Sequence, residues 1–271
     1  MPLENPNMKG CKASSRIALT INEKSHSVRL FPSQISTFRG GKRKGSIKAR
    51  IVVLALYLFG LQSCATTPGG GSVYEPSGQG RSPAVIVLHT KGGLSGHEKE
   101  FAYRLSKQGY VTITVDYFAG DGNNTKHGYE YLTTHPKVDP ERIGLVGFSM
   151  GAREALDLAS RLAISGSDRQ ISGVVSYYIG NMIVPWIEPL NHPPILFLHG
   201  DQDQEVQPIE IINYCKVQKE RGTVCDAHVY EGVKHAFDKQ SKYGGWDVRA
   251  TKDAWERTLS FLDKYVKDER N

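Results

Sequence analysis

Short apolar runs alternate with segments of helical spacing from about residue 82 to residue 271. The runs are bounded by turn-forming residues, which predicts buried strands at 84–88, 111–115, 142–146, 171–177, 194–198 and 227–230. Apolar residues at helical spacing lie between them, from residue 101 onward and over 129–134, 151–163, 208–221 and 247–267. Strands that alternate with helices predict one α/β domain over 82–271, with a mostly parallel sheet covered on both faces.

The sequence Gly147-Phe148-Ser149-Met150-Gly151 lies between a predicted strand and a predicted helix. Strand, Gly-x-Ser-x-Gly turn and helix are the context of a nucleophile elbow, whose strained turn lifts the serine hydroxyl to the edge of the sheet. Without that context the motif is weak, because turns of small residues are common. In its context the motif predicts that Ser149 is a catalytic nucleophile.

A catalytic serine needs a base to take its proton and an acid to orient that base. In parallel sheets such groups gather at the carboxyl ends of strands. Asp201 and Asp203 both follow the strand predicted at 194–198, and either could be the acid or a turn residue. Of nine histidines, only His235 lies between the last predicted strand and the last predicted helix. The order Ser, Asp, His is that of α/β-hydrolases.

An oxyanion hole needs two backbone donors. The N–H of Met150, directly after the serine, is predicted to be one of them. The second is expected in the loop after the first strand, at Thr90 or Lys91, where Gly92 and Gly93 allow close approach. Lys91 is the preferred position, and a plain turn is the alternative for this loop.

The basic character of the chain belongs to its first 63 residues. The net charge is +6, but residues 1–63 hold 11 Lys and Arg against 2 Asp and Glu, a balance of +9. Residues 64–271 hold 23 against 26, a balance of −3. A nucleic-acid-binding protein would carry its basic face on the folded domain, so no nucleic acid is predicted as a partner. Residues 1–42 are polar and irregular, and are either disordered or upstream of the true translation start.

A signal peptide of the lipoprotein type is predicted to end at residue 63. Basic residues between 42 and 50 precede the apolar run 51–61, which suits a signal peptide and is short for a membrane-spanning helix. Residues 61–64, Leu-Gln-Ser-Cys, resemble a bacterial lipobox, which implies cleavage before Cys64 and lipidation of its thiol and new amine. A buried core helix and a plain signal anchor are the alternatives. Residues 64–81 are expected to form a flexible tether.

Lipidation at Cys64 would anchor the domain to a membrane outside the cytoplasm, in a bacterial cell envelope. A disulfide between Cys215 and Cys225 then becomes possible, although their spacing alone leaves the pairing open. The four cysteines show neither Cys-x-x-Cys nor Cys/His ligand spacing, so no structural metal site is predicted.

Five motifs occur in a fixed order in the body of the chain: His-x-x-x-Gly at 89–93, Asp-Pro-Glu-Arg-Ile-Gly at 139–144, the elbow at 147–151, His-Gly-x-x-Asp at 199–203 and Gly-x-x-His-x-Phe at 232–237. Over about residues 82–266 the chain therefore resembles the dienelactone hydrolase family. The resemblance implies an α/β-hydrolase fold and a triad of Ser149, Asp203 and His235. It also implies oxyanion donors at Lys91 and Met150.

Three departures from the family prototype bear on the substrate. The nucleophile is Ser149 where the prototype has a cysteine, and Thr90 stands where the prototype has a glutamate that interacts with the nucleophile. The chain is also shorter before the first strand and between residues 116 and 134. These differences favour a serine esterase over an enzyme for dienelactone itself.

The sequence thus predicts a hydrolase that cleaves a carboxylic ester or lactone through an acyl-enzyme, with no cofactor. A peptidase or acyltransferase on the same fold is one alternative, and a non-catalytic envelope lipoprotein is the other. Apolar residues between 180 and 191 are expected either to wall the substrate pocket or to pack in the core.

Overall fold

A seven-stranded sheet organises the computed structural model, which describes residues 67–166, 170–180, 192–240 and 245–268. The strands are β1 (Val73–Tyr74), β2 (Ser82–Leu88), β3 (Val111–Val115), β4 (Val138–Phe148), β5 (Gly173–Tyr177), β6 (Ile195–Gly200) and β7 (Cys225–Tyr230). Their order in the sheet is β1-β3-β2-β4-β5-β6-β7. Only β1 runs antiparallel to its neighbour, so the predicted mostly parallel sheet is confirmed.

Five α-helices lie between or after the strands within the described ranges: α1 (Gly96–Ser106), α2 (Asn124–Thr134), α3 (Met150–Ile164), α4 (Pro208–Glu220) and α5 (Val248–Leu262). A 3-10 turn (Pro68–Gly70) precedes β1, and a π-helical segment (Asp263–Lys267) follows α5. Helix α1 begins with a capping box, in which Ser95 and Glu98 each bond the other's backbone N–H. None of the helices in these ranges has the length and apolar character needed to span a bilayer.

Apolar side chains form one cluster on each face of the sheet. Because successive strand residues point to opposite faces, β2 sends Ile86 and Leu88 to one cluster and Val85 and Val87 to the other. Helices α2, α3 and α4 cover the first face, and α1 and α5 cover the second. The prediction of a sheet covered on both faces is confirmed.

The segment predicted as a tether over 64–81 is in part an edge of the sheet. Strand β1 pairs with β3 through Val73 and Ile113, and the Ser72 N–H donates to Thr114 Oγ1 at 2.9 Å. The prediction of a flexible tether is therefore wrong for residues 67–74. Two apolar side chains do not make a run, so β1 left no periodic signal in the sequence.

Strand β4 and helix α2 also begin earlier than predicted. The strand predicted at 142–146 extends back to Val138, which pairs with Ser82, and the register shifts before Ile143 pairs with Ala84. Helix α2 begins at Asn124, whose side-chain amide donates to the carbonyl of Asp116 at 2.9 Å. A side-chain hydrogen bond thus holds the start of α2, and strand pairing across a register shift extends β4.

A disulfide joins Cys215 of α4 to Cys225 at the start of β7. The pairing that the sequence left open is therefore present, and both cysteines are buried in the first cluster. The bond ties α4 to the strand at the edge of the sheet. The predicted lipidation site Cys64, the signal peptide and residues 181–191 lie outside the described residues.

Candidate active site

Ser149 lies on a sharp turn between the end of β4 and the start of α3. Its backbone has φ 54° and ψ −117°, a conformation that an L-residue adopts only under strain, and its N–H donates to the carbonyl of Tyr177 at 3.0 Å. The glycines on either side are required, because a Cβ at Gly147 would overlap the backbone of α3 and one at Gly151 would overlap the backbone at the end of β2. The turn has the geometry of a nucleophile elbow.

The side chains of Ser149, His235 and Asp203 form one hydrogen-bonded chain. His235 Nε2 lies 3.0 Å from Ser149 Oγ, and His235 Nδ1 lies 2.7 Å from Asp203 Oδ2. The three residues come from three loops at the carboxyl ends of β4, β6 and β7. The distances are those of an activated serine with its base and the acid that orients the base.

Asp203 is buried, with 2% of its surface exposed, and is held as an anion. Burial opposes its ionisation, but the hydrogen bond to His235, the charges of His235 and His199 and the N–H of Glu205 together outweigh that cost and hold the pKa of Asp203 below its ordinary value. The backbone N–H groups of Glu205 and Val206 donate to its other oxygen at 2.8 and 3.3 Å. A fixed carboxylate of this kind sets the tautomer and direction of the imidazole.

Asp201, the other aspartate of this loop, has a different role. Asp201 Oδ1 accepts the N–H of Gly232 at 2.7 Å and so bridges the loop after β6 to the turn after β7. Two histidines at strand ends also bond to nearby backbone: His199 Nε2 lies 2.9 Å from the carbonyl oxygen of Val206, and His89 Nδ1 lies 2.6 Å from that of Thr90.

The backbone N–H of Met150 begins α3 beside the serine hydroxyl. A Cβ built on Gly180 would lie 2.7 Å from Ser149 Oγ and 3.3 Å from the nitrogen of Met150. The absence of a side chain at Gly180 therefore leaves open the space next to the hydroxyl and this donor. The other predicted donor, Lys91, lies in a turn closed by the Gly93 N–H and the Thr90 carbonyl at 3.1 Å.

Tyr178 packs against the ring of His235, and it was not predicted from the sequence as a site residue. Its ring meets the imidazole edge to face, with centroids 5.0 Å apart, and its hydroxyl donates to Asp238 Oδ1 at 2.6 Å. His97 Nε2 lies 3.1 Å from the second oxygen of Asp238. Two partners on Asp238 thus fix the loop that carries His235, and only the folded chain brings these residues together.

Glu205 and Gly180 were also missed by the sequence prediction. Glu205 Oε2 lies 3.7 Å from His235 Nε2, and Glu205 Oε1 lies 3.2 Å from the ammonium of Lys91. The available signals were weak: Glu205 comes two residues after Asp203, and Gly180 follows the end of β5, the strand next to β4.

A second serine–histidine contact lies on the covered side of α3. Ser160 Oγ and His192 Nε2 are 3.1 Å apart, and both residues are buried. His192 Nδ1 has no hydrogen-bond partner within the described residues, so no acid orients this imidazole. Burial lowers the pKa of His192 to about 4. This pair has the features of a packed core contact. Over the same described ranges, no cluster of His, Cys, Asp and Glu could hold a metal ion.

The chain matches the family model described as the dienelactone hydrolase family over residues 70–130 and 123–266. A curated relative from Bradyrhizobium, named "Probable 2-oxo-3-(5-oxofuran-2-ylidene)propanoate lactonase", is 26% identical over 216 residues, which are 69% of this chain and 86% of the relative. The solved structure of a dienelactone hydrolase-like promiscuous phosphotriesterase from metagenomic libraries has a TM-score of 0.64 at 18% identity, covering 72% of this chain and 92% of that one. Esterase 2 of Thermogutta terrifontis, phosphonylated by cyclosarin, has a TM-score of 0.60 at 18% identity, with 73% and 90% covered. These two structures have the same fold as this chain.

Proposed function

The chain belongs to the dienelactone hydrolase family and is a carboxylic ester hydrolase, and from this premise we propose that Ser149, His235 and Asp203 form its catalytic triad. The observation that carries the proposal is the continuous hydrogen-bonded chain from the Ser149 hydroxyl through His235 to the buried carboxylate of Asp203. The strained backbone at Ser149 supports it, since such strain is concentrated at functional sites.

In the proposed mechanism His235 Nε2 takes the proton of Ser149 as its oxygen attacks the carbonyl carbon of the ester. The N–H of Met150, with that of Lys91 as the second donor, stabilises the negative oxygen of the tetrahedral intermediate. His235 then gives the proton to the leaving alcohol, and the carbon–oxygen bond breaks to leave an acyl-serine. Water, deprotonated by His235, attacks this acyl group and releases the acid. Asp203 stabilises the imidazolium in both halves of the cycle.

The substrate class is an ester or a lactone. A lactone differs in that its leaving alcohol stays attached to the acyl group, and the same three residues can open the ring. The name of the Bradyrhizobium relative gives a lactone as its substrate. For this chain we propose ester and lactone cleavage by one site, with the acyl-enzyme as the common intermediate.

Labelling with a fluorophosphonate probe tests the nucleophile. We expect the full chain to react covalently at Ser149 and to hydrolyse p-nitrophenyl acetate, and Ser149→Ala to do neither. Ser160→Ala is the matched control, because Ser160 also contacts a histidine, and this variant should keep both activities. Equal labelling of wild type and Ser149→Ala would contradict the proposal. Turnover of peptides with no turnover of esters would contradict the esterase assignment.

We further propose that the enzyme is a lipoprotein, anchored through Cys64 outside the cytoplasm. The lipobox-like sequence at residues 61–64 and the basic and apolar segments before it support this location. The disulfide between Cys215 and Cys225 supports it independently, because disulfides persist mainly in oxidising compartments.

A further inference from the structure

Glu205 places a carboxylate beside the reacting groups without belonging to the triad. Its Oε2 lies 3.7 Å from His235 Nε2, the atom that must pass a proton to the leaving alcohol. The position of a Cβ on Gly180 lies 2.7 Å from Ser149 Oγ and 3.4 Å from Glu205 Oε2. The sum of these two distances is the largest separation that the two oxygens can have, so Glu205 Oε2 lies within 6.1 Å of Ser149 Oγ. An ester that reacts with Ser149 would therefore lie within a few ångströms of this carboxylate.

The backbone of Glu205 is fixed by the triad itself. Its N–H donates to Asp203 Oδ1 at 2.8 Å, so the residue that orients His235 also positions Glu205. The two carboxylate oxygens of Glu205 have different partners. Oε1 lies 3.2 Å from the ammonium of Lys91, and Oε2 faces the imidazole of His235. Lys91 is the more exposed partner, with 66% of its side chain accessible against 37% for Glu205. The negative end of the pair therefore faces the site and the positive end faces the solvent.

We propose that Glu205 determines the charge class of the substrate, so that the site selects esters and lactones whose alcohol portion is neutral or cationic and rejects those whose alcohol portion is anionic. This inference rests on the proposed function, because it assumes that the leaving oxygen sits at His235 Nε2. An anionic group on the alcohol would lie beside Glu205 Oε2, and like charges placed together at a binding site are strongly unfavourable. A cationic group there would gain the same interaction with opposite sign.

Lys91 moderates this effect. Its ammonium offsets part of the field of Glu205, although an exposed ion pair is weak and screened by salt. Removing the side-chain charge of Lys91 should therefore strengthen the preference for cations, whereas removing the charge of Glu205 should weaken it. The two substitutions are expected to shift selectivity in opposite directions, which a change in folding or general activity would not do.

The test compares three aryl acetates that differ mainly in charge: 3-acetoxybenzoate, phenyl acetate and 3-acetoxy-N,N,N-trimethylanilinium. Each kcat/KM is divided by the hydroxide-catalysed rate of the same ester, which removes differences in leaving-group reactivity. For the wild-type chain we expect the cationic ester to be favoured over the anionic one by at least about tenfold. The ratio should fall as salt is raised, because the interacting charges are partly exposed.

Glu205→Gln should reduce the cation-to-anion ratio by about fivefold or more, and Lys91→Gln should increase it. Glu220→Gln and Lys219→Gln are matched controls, since they make the same charge changes at the exposed end of α4. That helix starts near the loop of Asp203 and runs for 13 residues away from it, so its end is about 20 Å from the site. The controls should leave the ratio within about twofold of wild type.

An unchanged ratio in Glu205→Gln would overturn the proposal. An equal loss with all three esters would overturn it as well, because that pattern indicates a structural or proton-transfer role. Should Glu205→Gln fail to fold, the increase expected for Lys91→Gln and the salt dependence of the wild type still decide the question. Absence of hydrolysis of all three esters would instead contradict the proposed function, and the selectivity with it. Hydrolysis without charge preference would contradict the selectivity alone.

Discussion

At the scale of single residues, Gly180 matters for what it lacks. Its missing side chain leaves room beside Ser149 Oγ and the N–H of Met150, where the proposed mechanism places the carbonyl group of the ester. Gly180 is a backbone position that alanine can adopt, because its φ is outside the left-handed region. A side chain at this position would therefore fill space in the site, while the backbone conformation would tolerate it.

We predict that Gly180→Ala lowers kcat/KM for p-nitrophenyl acetate by about 100-fold, the scale of a displacement of about 1 Å in a reacting group. The new Cβ would lie 2.7 Å from Ser149 Oγ, so the hydroxyl or the loop has to move. Steady-state kinetics and a thermal melt measure the two effects separately. Gly96→Ala is the control, because a Cβ there meets nothing within 4 Å. Full activity in Gly180→Ala would show that the substrate does not use this space.

Some residues of the proposed site could be predicted from the sequence because their signals are local. The elbow around Ser149 is a strand, a glycine turn and a helix within one stretch of chain, and His235 is the one histidine in its loop. Asp201 and Asp203 have equivalent local sequence, and only the path of the loop decides which of them reaches His235. The side chain of Glu205 contacts His235 and Lys91, which lie 30 and 114 positions away in the chain, and no local pattern signals these contacts.

At the scale of elements, strong periodicity gave the central strands and the long helices correctly. Where the fold depends on polar contacts, the sequence pattern was insufficient. Strand β1 is held at the sheet edge by Thr114, and the first turn of α2 by the carbonyl of Asp116. Neither contact alters the hydrophobic pattern from which the elements were predicted.

His192 contacts one residue of α3 and one of α4, and it is a pH-sensitive point of the fold. Its Nε2 lies 3.1 Å from Ser160 Oγ on α3 and 3.4 Å from the hydroxyl of Tyr214 on α4. Burial lowers the pKa of His192 from 6.5 to about 4, so the imidazole is neutral in the fold at pH values where the unfolded chain binds a proton. The unfolded state therefore gains stability relative to the fold as the pH falls between these two values.

We predict that His192 contributes a loss of up to about 3 kcal/mol in the free energy of unfolding between pH 6.5 and pH 4. Urea unfolding over this range measures the loss. His192→Phe cannot take up the proton, so its stability should fall less steeply with decreasing pH than that of the wild type. Above pH 7 the two curves should run parallel. Parallel curves down to pH 4 would show that His192 titrates alike in the folded and unfolded chain.

At the scale of the whole molecule, two features at opposite ends of the chain point to one compartment. The lipobox-like segment precedes the catalytic domain, and the disulfide ties α4 to β7 near the far edge of the sheet. The charge distribution agrees with this division, because the excess of basic residues is confined to residues 1–63. A signal peptide with a basic start would be removed on export and would leave a domain with a balance of −3.

We predict that Cys64 is the site of lipid attachment when the full chain is expressed in a bacterium. Growth with an alkyne-bearing palmitate should label the wild type, and mass spectrometry should find a mature chain that begins at Cys64 with added acyl groups. Cys64→Ala should show no label, because it lacks the thiol and the cleavage signal. Cys11→Ala should be labelled like the wild type, since it lies upstream of the cleavage point. Equal labelling of Cys64→Ala, or a mature chain that begins elsewhere, would contradict the anchor and leave the esterase proposal intact, because the triad does not depend on Cys64.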